Sequence, residues 1–86
     1  MRQQKQDRLL DQIAVATELC GHAERDAGSS FSDFATVLGT LGRLAQTVEA
    51  AEATCVELLR SQGASWEVVG NALNVSRQAA WERWGK

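Results

Sequence analysis

The chain has 86 residues, enough for one domain at most, and a chain this short buries only about 60 to 65% of its unfolded surface when it folds alone. With 44% hydrophobic and 23% charged residues it reads as globular rather than disordered, and the absence of proline and tyrosine favours helix. A net charge of −2 excludes a protein that holds nucleic acid over its whole surface, although the charge is uneven: residues 1–56 carry five Lys/Arg against eight Asp/Glu, and residues 57–86 carry four against three.

The first predicted helix runs from Arg2 to about Glu24. Its apolar residues Leu9, Ile13, Ala16, Cys20 and Ala23 follow a 4-3-4-3 spacing that keeps one stripe on one face, widened by Leu10 and Leu19. Met1 to Arg8 is almost entirely polar and is expected to fray. Cys20-Gly21-His22 supplies too few ligands for a closed metal site, and Cys55 has no CxxC neighbour, so both thiols are expected to be reduced and buried. A disulfide is the minority reading. His22 reads as a surface or helix-end residue.

Asp26-Ala27-Gly28-Ser29-Ser30 breaks the pattern, and Ser30 with Asp33 approximates a capping box for the next helix. That helix is expected from Ser32 to about Ser61. Its apolar positions fall into three seven-residue series: Phe34, Leu41, Val48, Cys55; then Val37, Leu44, Ala51, Leu58; then Leu38, Ala45, Glu52, Leu59. Such a wide stripe suits packing against more than one neighbour. Gly39 and Gly42 each cost about 1 kcal/mol relative to Ala in a helix; they mark a bend, a close helix crossing or a break, and a continuous bent helix is favoured. At roughly 45 Å, a continuous helix exceeds what the remaining chain can cover. The two long helices are therefore expected to form an antiparallel hairpin used for self-association, with Leu9, Ile13, Phe34, Leu38, Leu41 and Val48 at the dimer or partner interface.

The last 24 residues read as two short helices joined by a tight turn. Gly63 stands where a helix ends, Ser65 where the next is capped, and the third helix is predicted over Trp66 to Leu73. Asn74 occupies the position that needs a left-handed backbone, Val75 fills the apolar slot of the turn, and Ser76 caps a fourth helix from Arg77 to about Trp84. Gly70 supplies the minimal side chain that two helices crossing at roughly 90 to 120° require. Val69, Leu73, Val75, Ala80 and Trp84 are the expected core. The fold class is thus all-α, a long helical hairpin over 1–62 followed by a helix-turn-helix over 63–86.

The segment from Gly63 to Trp84 resembles the helix-turn-helix found at the ends of many small actinobacterial regulators and, distantly, the DNA-reading part of sigma factors. Asn74 stands where glycine is usual in that turn. The resemblance covers only the last quarter to third of the chain and implies double-stranded DNA as partner.

In such a fold the first residues of the fourth helix meet base edges in the major groove. Arg77 suits guanine and Gln78 adenine, each pairing contributing about 1 to 3 kcal/mol of discrimination. Ala79 suits a thymine methyl and Trp81 lies close enough to join the base contacts, or to pack on a partner subunit. Ser76, Arg83, Lys86 and Arg60 are the expected phosphate contacts. Trp66 and Trp84 are expected in the core.

The expected function is a small, dimeric, sequence-specific transcriptional regulator that presents two recognition helices to half-sites about one helical turn apart. The alternative is an adaptor that docks a sigma factor or another regulator through the hairpin and the helix-turn-helix face. No catalytic constellation, cofactor motif or metal-ligand set is legible, which argues against an enzyme. No stretch reads as a signal peptide or a membrane span, so a cytoplasmic, nucleoid-associated protein is expected.

Overall fold

The computed structural model describes residues 4–86 and consists of four helices: α1 (Gln4–Asp26), α2 (Phe31–Ser61), α3 (Trp66–Leu73) and α4 (Arg77–Trp84). The described residues form two compact units that divide inside α2, between Glu52 and Ala53. The sequence boundary at 62/63 follows the loop. The contact boundary falls earlier because the last turns of α2 belong with α3 and α4.

In the N-terminal unit α1 and α2 run antiparallel. Gln12 and Val15 line one groove with Gln46 and Ala50, while Leu19 and His22 line another with Gly39 and Arg43. The turn between them is closed by the reciprocal capping box: the Asp33 amide donates to Ser30 Oγ (3.0 Å) and the Ser30 amide donates to Asp33 Oδ2 (3.3 Å). Gln4 to Arg8 are helical, and Met1 to Gln3 lie outside the described residues.

Helix α1 buries no residue fully. Its half-buried edge is Leu9, Gln12, Ala16, Leu19 and Ala23, rotated from the predicted stripe, so that Ile13 and Cys20 remain exposed. On the part of α2 before Glu52 the half-buried or buried positions are Asp33, Val37, Thr40, Leu44, Thr47 and Ala51. Of the three seven-residue series, then, the one containing Val37, Leu44 and Ala51 packs inside the hairpin. Phe34, Leu38, Leu41, Ala45 and Val48 from the other two stay exposed.

The favoured reading of α2 as continuous through Gly39 and Gly42 stands, whereas the expectation that both thiols are buried is corrected. Gly39 and Gly42 do not mark a close crossing within the chain, because a Cβ added at either would meet nothing within 4 Å, and α2 is continuous through both. Cys20 and Cys55 are free and exposed rather than buried. Cys20 lies in the N-terminal unit and Cys55 in the C-terminal one, each turned to solvent.

The C-terminal unit, Ala53–Lys86, contains all the buried hydrophobic residues among those described: Val56, Val69 and Ala80, with Trp66, Leu73 and Trp84 packed against them. Val75 is not part of this core. It is 42% exposed, because the turn uses its backbone rather than its side chain: its amide donates to the Gly70 carbonyl at 2.8 Å. Val56, on α2, is a core residue outside the expected set.

Candidate nucleic-acid interface

Two turns of the same kind shape the C-terminal unit. At the end of α2, the Gly63 amide donates to the Arg60 carbonyl and the Ala64 amide to the Leu59 carbonyl, with Gly63 at φ 91°. At the end of α3, the Asn74 amide donates to the Asn71 carbonyl and the Val75 amide to the Gly70 carbonyl, with Asn74 at φ 58°, ψ 40°. Both are the paired-bond terminator that needs one left-handed residue, and asparagine is the best non-glycine choice for it.

Each following helix is opened by a serine. Ser65 Oγ accepts from the Val68 amide (3.2 Å) and Ser76 Oγ from the Ala79 amide (3.0 Å). Because a hydroxyl accepts and donates at once, Ser76 keeps its own O–H for a further acceptor such as a phosphate oxygen.

Gly70 sets how closely α3 meets the start of α4. A Cβ built there would stand 2.8 Å from the Val75 carbonyl oxygen and 3.0 Å from that of Ser76. The close approach seats Val69, 1% exposed, against Ala80, 0% exposed, and thereby fixes which face of α4 is covered. Ala80 and the half-buried Trp84 point in; Arg77, Gln78, Ala79, Trp81, Glu82 and Arg83 are exposed.

The aromatic and cationic residues around this unit are interleaved. The Arg83 guanidinium lies 4.6 Å from the Trp84 ring centroid and the Lys86 ammonium 5.9 Å from that of Trp81. Trp81, whose placement the sequence left open, is 42% exposed. It packs beside Gly85, where a Cβ would meet its ring carbon Cδ1. Arg60 is drawn into the α2–α3 turn: Nη1 donates to the Ala64 carbonyl at 2.7 Å and the guanidinium lies 4.5 Å from the Trp66 ring centroid. That placement ties it to the protein's own backbone and ring.

Of the expected base-reading residues, Gln78 has a side-chain partner, donating from Nε2 to Glu82 Oε1 at 3.1 Å. Sequence reasoning passed over Glu82. Its signal was available, four residues beyond Gln78 and on the side of α4 away from Ala80 and Trp84.

Of the six residues expected at a dimer or partner interface, Ile13, Phe34, Leu38, Leu41 and Val48 are exposed, Phe34 at 59% and Leu38 at 70%. Leu9 is half-buried along the inner edge of α1. Among the described residues no group of three or more His, Cys, Asp or Glu side chains is placed to hold a metal ion, and no helix is long and apolar enough to cross a membrane. No family model, curated protein or solved structure matches the chain.

Proposed function

We propose that this chain is a small, sequence-specific, double-stranded DNA-binding transcriptional regulator that acts as a homodimer in the cytoplasm, on the nucleoid. One observation carries the DNA-binding part. The serine-capped N-terminus of α4, with Arg77, Gln78 and Ala79 on its exposed first turn, is held on a core of Val56, Val69 and Ala80. A helix N-terminus with a positive dipole and long polar side chains suits phosphates and base edges in the major groove. Arg77 and Gln78 read bases, Ala79 and Trp81 add apolar contact, and Ser76, Arg83 and Lys86 hold phosphates.

The placement of the apolar surface supports the homodimer. The buried hydrophobic residues all belong to the C-terminal unit, while the hairpin exposes Ile13, Phe34, Leu38, Leu41 and Val48. Phe34, Leu38, Leu41 and Val48 share one side of α2 by their spacing and none is charged, and a two-fold association buries that strip against its own copy. Two copies of α4 also compensate for the modest charge of one.

Replacing Arg77 by Ala tests the reading. In a titration at fixed salt, the variant is expected to lose its preference for a selected site by about tenfold or more while its helicity and mass are unchanged. Unaltered site affinity would remove Arg77 from the interface. An adaptor that docks a sigma factor or another regulator is the second reading, favoured by exposed Trp81 and the acidic hairpin. Binding to random duplex at low salt separates the two: a DNA reader shows weak, salt-sensitive affinity and an adaptor none.

A further inference from the structure

The outward face of α4 carries a carboxylate where a DNA-reading helix faces a polyanion. With Ala80 and Trp84 covered, the side chains one turn apart on the opposite side are Gln78 and Glu82, joined by the 3.1 Å bond from Nε2 to Oε1. We infer that Glu82 determines specificity: it accepts a hydrogen bond from the exocyclic amino group of a cytosine in the major groove and holds the Gln78 amide in register for an adjacent adenine. This rests on the DNA-binding reading above.

A carboxylate selects bases by matching its acceptors to their donors. Guanine offers only acceptors in the major groove, N7 and O6, and thymine offers O4 beside its methyl group, so a carboxylate is repelled by both. Adenine offers the N6 amino group beside the N7 acceptor, which repels a carboxylate, whereas cytosine offers the N4 amino group with no acceptor beside it. A carboxylate has two oxygens and about four lone-pair sites, so Glu82 can accept from Gln78 on one oxygen and from a base on the other.

Gln78 is left complete for its own task. One Nε2 hydrogen is directed at Glu82, and the second hydrogen together with Oε1 forms the donor–acceptor pair that adenine N7 and N6 require. The pair therefore reads two neighbouring base pairs as a unit. The carboxylate also weakens attachment to every duplex that lacks the cytosine, because an uncompensated negative charge near phosphates lowers sequence-independent affinity. Specificity is gained by repulsion as well as attraction.

The experiment is a selection of bound sites from a random duplex pool with the full chain, its Glu82→Ala variant and its Glu82→Gln variant, followed by titration of fixed duplexes at one salt concentration. The wild-type chain is expected to enrich a cytosine beside an adenine and to lose about tenfold in affinity when that cytosine is replaced. Glu82→Ala is expected to lose this discrimination and to bind unrelated duplex a few-fold more tightly. Glu82→Gln, able to donate as well as accept, is expected to admit purines at the same position. If Glu82→Ala selects the same bases as the wild-type chain, Glu82 does not determine specificity and the DNA-binding reading stands. If the wild-type chain shows no salt-sensitive duplex binding at all, both are overturned.

Discussion

Gly70 concentrates the structural argument of the C-terminal unit in one missing methyl group. In an exposed helix, replacing glycine by alanine stabilises by about 1 kcal/mol, but here the new Cβ would press on two backbone carbonyl groups, those of Val75 and Ser76, at 2.8 and 3.0 Å. Backbone in a tight turn has little room to give, and moving it would pull Ala80 away from Val69. Overpacking of this kind typically costs about 1 to 3 kcal/mol. The Gly70→Ala variant is therefore expected to melt several degrees lower despite its better helix propensity. A melting point at or above that of the wild-type chain would show that the turn yields. Gly39 and Gly42 differ in kind, since open space surrounds them; glycine in a helix signals close packing only where something stands opposite.

At the scale of elements, α4 is capped by one hydroxyl whose capping can be separated from its proposed phosphate contact. Ser76 accepts from the Ala79 amide and has an O–H left to donate. Ser76→Ala removes the cap, costing about 0.5 to 2 kcal/mol, which for a domain this small lowers the melting temperature by roughly 4 to 8 °C per kcal/mol. Ser76→Asp restores an equally good cap and suits the helix dipole, yet sets a negative charge at the proposed phosphate contact. The expected pattern is a low melting point for alanine, a near-normal one for aspartate, and duplex binding weakened several-fold by aspartate. Calorimetry together with a titration at fixed salt checks both halves, and normal binding by the aspartate variant would remove Ser76 from the phosphate contacts.

The same caps explain what was legible beforehand. Serines at 65 and 76, Gly63 and Asn74 act within a few residues of their own backbone, so the limits of α3 and α4 are the ones the sequence predicts. Burial depends on partners far along the chain. Cys20, Ile13 and Val75 are apolar enough for a core and yet exposed, whereas Val56 is buried although it lies outside all three predicted series. Periodicity records that a face is apolar; it does not record which of several apolar faces the same chain covers. Glu82 is a different case: its link to Gln78 depends on side-chain geometry four residues apart, which the residue types alone do not specify.

At the scale of the whole molecule the question is what covers the outer face of the hairpin. Leu38 is 70% exposed and Phe34 59%. In a monomer, substitution at such positions changes stability by no more than about 0.5 kcal/mol. In a dimer joined through this face, a lysine at 38 would place two ammonium groups in an apolar interface, where unpaired charge is strongly unfavourable. The expectation for Leu38→Lys is thus dissociation to monomers. Unlike the wild-type chain, whose melting temperature should rise with protein concentration because association and folding are linked, the variant should melt independently of concentration. Sedimentation equilibrium and melts over a hundredfold range of concentration measure both quantities. A wild-type chain of monomeric mass, indifferent to this substitution, would leave the apolar face to another partner and make the adaptor the better reading. Dissociation accompanied by a large loss of duplex affinity, with α4 itself unaltered, would tie DNA binding to the pairing of two copies, since each monomer retains its base-reading residues and lacks only the second set.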